Sequence, residues 1–265
     1  MANFIFIDGS YFCFFRYYAM LTWWKNAKKD EDALKNPIEN ETFVTKYKDL
    51  FNRKIQEISK KLKIKNPIII IGKDCHRRDI WRHSICDFYK ENRSTDDLFM
   101  EGEFFKIAYS ELFPNNENIK AIISHKSLEA DDCIAIASKY VLEKYPDSKV
   151  TIITSDMDYL QLSNERTQLF NLKYKNLCES KNSFGDANKD LFCKIVLGDK
   201  SDNISGIFKK CGIKTAEKLY EDADQFIKKI NQEKASKLYE RNKQLIDFNQ
   251  IPLEYVNELK STFDF

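Results

Sequence analysis

The chain has 265 residues, 43% of them hydrophobic and 14% aromatic, with only seven Gly and five Pro. That composition suits one large domain, or one domain with a lobe, around a sizeable core, and it excludes a disordered or low-complexity chain. Forty-three basic residues against 41 acidic ones leave a net charge of +2, so any preference for a charged partner must come from how the charges are distributed.

No apolar run approaches the roughly 20 residues of a membrane span, and the N-terminus lacks the basic region, long apolar run and cleavage site of a signal peptide. An intracellular soluble protein with no membrane partner is expected. There is no internal repeat. The seven cysteines at 13, 75, 86, 133, 178, 193 and 211 contain no Cys-x-x-Cys pair, and only three His are present. A zinc site is therefore not expected, and reduced, mostly buried thiols are.

Residues 3–7 (Asn-Phe-Ile-Phe-Ile) predict a buried strand running into Asp8-Gly9-Ser10. A glycine after the acid suits a tight strand-to-helix turn. Residues 11–20 predict an aromatic-rich helix carrying Arg16. The polar stretch 21–41 reads as a loop or helical excursion. Its Trp23-Trp24 pair suits either base stacking or capping of the core, and the core reading is preferred. Over 42–63, Phe43, Tyr47, Leu50, Phe51, Ile55, Ile58 and Leu62 recur at helical spacing. A second strand, 66–72, ends in Lys73-Asp74.

Segment 75–93 is basic. Arg77, Arg78, Arg82, Lys90 and Arg93 alternate with Trp81, Phe88 and Tyr89 on one expected helix. Bases with aromatics suit phosphate contact plus base stacking. A solvated amphipathic helix is the alternative that Asp79, Asp87 and Glu91 keep open. Residues 94–100 are acidic and expected to be mobile. A helix over 101–113 and a strand over 119–124 precede Glu129-Ala130-Asp131-Asp132, which opens another helix. The fourth strand, 149–154, runs into Asp156-Met157-Asp158, and an edge strand is expected within 168–175.

From 188 the chain reads as helical. Asp199 and Asp202 are three apart and share a face if that segment is helical. Lys209, Lys210, Lys214 and Lys218 crowd a short turn at Gly212. A helix N-terminus beside lysines suits a phosphate-backbone clamp, and a lysine-rich surface helix is the plainer alternative.

Strands alternating with helices predict a mostly parallel sheet, whose C-terminal strand ends share one edge. Four separate acidic positions (Asp8, Asp74, the Glu129 group and the Asp156 pair) then converge. Carboxylates about 4 Å apart repel by about 1 kcal/mol in water and about 4 kcal/mol at intermediate dielectric. Such a cluster needs a cation or a proton among its members. Mg²⁺ and Mn²⁺ take oxygen ligands of this kind. Acids of this kind are also common at helix starts.

Taken in order, these residues resemble the flap endonuclease and 5′→3′ exonuclease superfamily. The resemblance rests on Ile7-Asp8-Gly9-Ser10; Asp74 with Arg82 and Tyr89-Lys90-Glu91-Asn92-Arg93; Glu129-Ala130-Asp131-Asp132; Thr154-Ser155-Asp156-Met157-Asp158; and Gly198-Asp199 through Gly206-Ile207. Residues 244–252 are similar to the phage-type ribonuclease H branch. The resemblance implies a PIN-like α/β nuclease domain over 1–187 with a helical arch near 75–105. It implies a helical DNA-binding lobe over 188–265 containing a helix–three-turn–helix. By that pattern Asp8, Asp74, Glu129, Asp131, Asp132, Asp156, Asp158, Asp199 and Asp202 hold two Mg²⁺ or Mn²⁺ ions. Lys90 and Arg93 act with Asp8 and Asp156 in catalysis. Arg16, Arg82, Tyr89, Lys209, Lys210, Gly212, Lys214 and Lys218 contact DNA, and K⁺ sits at the helix–three-turn–helix.

The implied activity is structure-specific hydrolysis at 5′ flaps and 5′ ends of branched or nicked duplex, including RNA-primed DNA, in replication or repair. A sliding clamp or single-strand-binding protein is an implied partner. The hairpin after Gly206 departs from the pattern: Lys210-Cys211-Gly212 keeps the second of two usual glycines, in a loop one residue longer. The tail 259–265 has the spacing of a clamp contact, but a frayed terminus is the preferred reading. A PIN-type ribonuclease and a non-catalytic branched-DNA binder are the rival functions. A phosphatase wants an acid where Ser10 stands, and a dinucleotide-binding enzyme wants more glycines than Gly9 supplies.

Overall fold

The computed structural model describes residues 2–28, 34, 36–93 and 98–265. At its centre is β1 (Asn3–Asp8), whose Phe4 and Phe6 enter the core on one face while Ile5 and Ile7 enter it on the other. A strand apolar on both faces belongs in a sheet covered on both sides. β2 (Pro67–Gly72), β3 (Ile119–Ile123), β4 (Lys149–Ile153) and β5 (Thr167–Phe170) join it in the order β3-β2-β1-β4-β5. Every pairing is parallel. The chain builds from β1 to one side, then returns to build on the other. That reversal leaves a crevice at the C-terminal ends of β1 and β4, where parallel α/β sheets place their sites.

Three helices cover one face: α1 (Gly9–Ala27), α2 (Glu41–Lys61) and α3 (Leu98–Ile107), which runs on into a π turn at Ala108–Leu112. Asp8 caps α1 and Asn40 caps α2, each accepting a first-turn amide. α4 (Ala130–Lys144) covers the other face. After β5 come α5 (Ala187–Leu197), α6 (Ile213–Glu221), α7 (Ala223–Glu233), α8 (Ser236–Ile246) and α9 (Leu253–Lys260). Ile195, Ile204, Leu245 and Ile246 share a small core with Ile80, Cys86 and Tyr89. A second small core holds α5 against α6 through Cys193, Val196, Ala216 and Leu219.

Several expectations need correction. The first helix runs past Met20 to Ala27; its Trp24 is buried against Phe43, while Trp23 stays at the surface under Lys46. Residues 29–33 and 35 lie outside the described residues, as do 94–97 of the expected arch and mobile segment; 98–100 already belong to α3. Segment 75–93 is not one helix but two short 3-10 turns, Arg77–Asp79 and Trp81–Ser84, with turns beyond. The Arg77 guanidinium donates to the Lys90 and Arg93 carbonyls, 13 and 16 residues on, which holds the segment bent back on itself.

The tail is not frayed. Phe265 is 8% exposed and shares the core with Phe4, Phe6 and α4. Phe263 and Phe265 both pack against Tyr140, and Lys144 Nζ donates to the Phe265 carbonyl at 3.2 Å. The aromatic spacing read as a clamp contact therefore serves internal packing. The last part of the expected C-terminal lobe lies on the first unit. All seven cysteines are free. No helix among the described residues is long and apolar enough to cross a membrane.

Removing residues 263–265 should cost about 2–4 kcal/mol, since burying one Phe contributes about 1.5–3 kcal/mol. The midpoint of urea unfolding measures it; an unchanged midpoint is what a frayed tail gives.

Candidate active site

The strand ends bring the predicted acids together. Asp8 ends β1, caps α1 through Tyr11 N at 3.0 Å, and accepts from Thr154 Oγ1 at 3.3 Å. Asp74, just past β2, accepts from Ala130 N at 2.8 Å and from the Ser10 hydroxyl. Beyond β4, Thr154 Oγ1 receives Asp156 N at 3.1 Å, and Asp156 in turn receives Asp158 N at 2.9 Å. Glu129 caps α4, with Asp131 and Asp132 in its first turn. The oxygens of Glu129, Asp131 and Asp132 come within 4.8 Å of one another, as do those of Asp158, Asp199 and Asp202. Gly9 and Gly72 permit this closeness. A Cβ on Gly9 meets the Gly72 carbonyl at 2.6 Å, and one on Gly72 meets Ile134 at 2.7 Å.

The structure divides these acids into two sets. Glu129, Asp132, Asp158, Asp199 and Asp202 are paired with cations. Lys90 joins Glu129 and lies 3.6 Å from Asp202, while Arg93 pairs with Asp202. Lys194 bridges Asp158 and Asp199, the latter at 2.8 Å. Asp8, Asp74, Asp131 and Asp156 form no ion pair among the described residues; hydroxyl and amide donors are their partners.

Electrostatics follows that division. Loss of solvent, then the charges of Asp74 and Asp156, push the Asp8 carboxyl up to about 7. Burial and the neighbouring Asp132 and Glu129 raise Asp131 well above the carboxylate range. Burial works the same way on Glu129, but Lys90 and Arg82 outweigh it and hold that carboxyl below its ordinary value. Burial also opposes Lys194 at Asp199, and the lysine prevails, bringing the acid to about 2.

Arg82 and Tyr89 are not where the sequence places them. Both were expected to face nucleic acid, yet each is 2% exposed. The Arg82 guanidinium makes two bonds to Asp132, at 2.7 and 2.8 Å, one to Glu129 at 3.1 Å, and one through Nε to the Leu245 carbonyl at 2.7 Å. Trp81 Nε1 donates to Asp132 at 3.0 Å. Tyr89 Oη sits between Glu129 and Asp202, at 3.0 and 3.1 Å. The capping Glu129 and the first-turn Asp132, both drawn out of water, need a cation of matching geometry, and the planar guanidinium supplies it.

Lys90 occupies the left-handed region at φ 58°, a conformation that costs energy in a residue with a Cβ and occurs preferentially at functional sites. Its amide bonds the Asp202 carbonyl at 3.0 Å. Nearby, Gly198 at φ 73° lets the chain double back against Ile204, where a Cβ would lie 2.4 Å from a carbonyl oxygen. Lys209, Lys210, Gly212, Lys214 and Lys218 are all exposed around the start of α6. Arg16, by contrast, is only 9% exposed. Lys194 was missed. Its signal was a lone lysine in the apolar run 191–197, just ahead of Gly198-Asp199.

These features define a PIN-like α/β protein: a parallel sheet with helices on both faces and an acidic crevice at its switch point. A family model described as the 5′-3′ exonuclease N-terminal resolvase-like domain matches residues 3–188. The chain belongs to that family. It is 30% identical over 214 residues to the 5′-3′ exonuclease of Mycoplasmopsis pulmonis, a match covering 77% of this chain and 62% of the relative. To the ribonuclease H of Enterobacteria phage T4 it is 28% identical over 209 residues, covering 69% and 65%. The chain thus spans just under two thirds of the length of these relatives. Its fold is similar to that of a bacteriophage T5 flap endonuclease solved as a pseudo-enzyme–product complex with DNA and metal ions. That likeness has a TM-score of 0.68 and 18% identity, over 98% of this chain and 97% of the other.

Arg82→Ala should destabilise the protein by about 3–5 kcal/mol, because it leaves two buried carboxylates uncompensated. Chemical denaturation measures this; a loss under about 1 kcal/mol contradicts the buried role. A second expectation concerns pH with metal chelated. Asp8 titrates near 7 when folded against an ordinary 3.8, so the folded state holds the extra proton between those values. This group therefore lowers stability as pH rises from about 4 to 7. Wild type should lose more stability over that interval than Asp8→Asn, measured by urea midpoints in EDTA.

Proposed function

We propose that the chain is a structure-specific, divalent-metal-dependent 5′ nuclease, cutting at 5′ flaps and 5′ ends of branched or nicked duplex DNA, including RNA-primed DNA. The observation that carries this reading is the set Asp8, Asp74, Asp131 and Asp156, gathered at the sheet's switch point without a basic partner among the described residues. Four unneutralised carboxylates oppose one another and the fold, and a hard cation resolves the conflict. The donor set, all oxygen, fits Mg²⁺ or Mn²⁺. Family membership supports the same reading, as do the named activities of the relatives.

Asp8, Asp74, Asp131 and Asp156, with Glu129, are the proposed holders of one ion; Asp158, Asp199 and Asp202 are proposed for a second. When bound, such ions make a water more acidic and stabilise the leaving oxygen. The chain's own residues do the rest. Lys90 and Arg93, beside Glu129 and Asp202, neutralise charge developing on the scissile phosphate. Water adds to phosphorus as the bond to the 3′ oxygen breaks, leaving a 5′-phosphate and a 3′-hydroxyl. Lys209, Lys210, Lys214 and Lys218 grip duplex phosphates at the amide end of α6 without reading sequence. The nuclease unit is proposed to span 1–187 and the duplex-holding lobe to begin at 188.

A 5′-labelled flap duplex with Mg²⁺ should be cut near the flap junction, with no cutting in EDTA or by Asp156→Asn. Cutting that persists in Asp156→Asn places the activity elsewhere. Lys90→Ala should slow single-turnover cleavage about 10²–10³-fold, the scale of losing one electrostatic donor, while the Kd measured in EDTA changes far less. Equal losses in both contradict a catalytic role.

A further inference from the structure

α3 does not end as a regular helix. At Ala108–Leu112 it widens into a π turn, closed by the Phe113 amide on the Ala108 carbonyl at 2.8 Å. Such turns are rare and gather at functional sites. The side chain this one presents to the sheet is Tyr109. Its ring is held by Phe105, by Phe113 at 5.2 Å and by Lys73, whose Nζ lies 5.0 Å from the ring centroid. The Tyr109 hydroxyl lies between the ends of β1 and β2. It is 3.5 Å from the Gly72 carbonyl, and a Cβ built on Gly9 collides with it first. Gly9 follows Asp8 and Gly72 precedes Lys73-Asp74, so the phenol is wedged between the two strand ends that carry Asp8 and Asp74.

Ser10 links the phenol to the acids. Its hydroxyl donates to Asp74, and it is within hydrogen-bonding reach of the Tyr109 hydroxyl. A hydroxyl has one proton to give and two lone pairs to accept with. With its proton given to Asp74, the Ser10 oxygen accepts from the phenol. Burial, then Cys13, Asp74 and Asp8, raise the Tyr109 pKa well above its ordinary value, so the phenol remains a donor. The other Asp74 oxygen accepts from Ala130 N at 2.8 Å, in the first turn of α4. Asp74 is thus held from both sides. It is nonetheless exposed, and Tyr109 is half-buried, so this corner of the crevice is open to solvent.

We infer that Tyr109 is a positioning residue for the ion site at Asp8 and Asp74: acting through Ser10, it fixes the orientation of Asp74 and its approach to Asp8. The inference rests on the nuclease reading for the presence of that ion. Two like charges left free turn away from each other. A relay of two hydroxyls restrains them without bringing a positive charge that competes with the ion. A lysine in the same place would neutralise Asp74, as Lys194 does Asp199. Hydrogen-bond partners that orient ligands in this way are worth about 10–100-fold in metal affinity. Tyr109 therefore acts on how readily the ion is held and leaves the chemical step to the groups that meet the phosphate.

The test uses full-length wild type, Tyr109→Phe, Ser10→Ala and the double variant. Free Mn²⁺ is followed by electron paramagnetic resonance during titration without DNA, and melting in EDTA shows that each variant is folded. Tyr109→Phe should weaken the tighter Mn²⁺ step about 10-fold. Ser10→Ala should weaken it at least as much, and the double variant no further than Ser10→Ala, because the two hydroxyls act as one unit. In single-turnover cleavage of a flap duplex, the Mg²⁺ concentration giving half the maximal rate should rise by about the same factor in Tyr109→Phe. The rate at saturating Mg²⁺ should stay within about threefold of wild type, as a residue outside the chemical step requires. Wild-type Mn²⁺ affinity in folded Tyr109→Phe overturns the inference, and so do additive losses in the double variant. A Tyr109-dependent Mn²⁺ step in a wild type that cuts no flap DNA supports the positioning role and overturns the nuclease reading instead. A wild type that takes up no Mn²⁺ overturns both.

Discussion

Mutual repulsion among carboxylates at one sheet edge is the constraint that the rest of the structure answers. A parallel sheet directs every strand end to the same side, so acids that are far apart in sequence become neighbours. Burial and each charged neighbour raise the cost of ionising the next acid, and Asp8, lifted to about 7 first by loss of solvent and then by Asp74 and Asp156, is the clearest result. The protein meets that cost in two ways. Glu129, Asp132, Asp158, Asp199 and Asp202 receive internal cations. Among the described residues Asp8, Asp74, Asp131 and Asp156 receive only neutral donors, which orient a carboxylate without neutralising it.

The internal cations differ in kind. Arg82 is locked by four hydrogen bonds and sealed from solvent, so it fixes where Glu129 and Asp132 point. Lys90 and Lys194 hold their acids from largely buried positions, and Arg93 holds Asp202 from the surface. Arg93 in particular keeps 49% of its side chain exposed, which leaves it able to meet a second anion. Both behaviours arise within one basic segment. The segment thus supplies a sealed structural cation at Arg82 and a half-exposed one at Arg93.

Much of this was readable from the residues alone. Apolar runs closing on Asp8, Asp74, Glu129 and Asp156 report strand ends, because strand length and the abrupt polar stop are local properties. The parallel order follows from helices between strands. What could not be read depends on contacts between distant residues. An arginine among aromatics has the same local pattern whether it faces phosphate or two buried carboxylates. For Arg82 the difference is made by Asp132 and by the Leu245 carbonyl 163 residues away. The basic segment was expected as a helix because its composition allows one; Arg77, reaching forward to the carbonyls of Lys90 and Arg93, takes it out of that conformation. The aromatic tail was misjudged for a similar reason, since only Tyr140 and the sheet show where Phe263 and Phe265 go.

The strand order also bears on how the chain folds. β1, β2 and β3 are successive in sequence and adjacent in space, so they can form a half-sheet early. β1 and β4 are neighbours in the sheet but 146 residues apart in the chain, Asn3 facing Lys149, and contacts of that separation are closed slowly. Until they close, the edge of β1, with Phe4 through Ile7, is open to strands of other molecules. The crevice at the seam therefore depends on the long-range β1–β4 closure. Asp8 and Asp74 belong to strands successive in sequence, and Asp156 joins them only across the β1–β4 seam, so the full charge crowding of the site depends on that closure. A folding intermediate of this protein should therefore be both sticky at one strand edge and inert as a catalyst, and chaperones would meet it in that state.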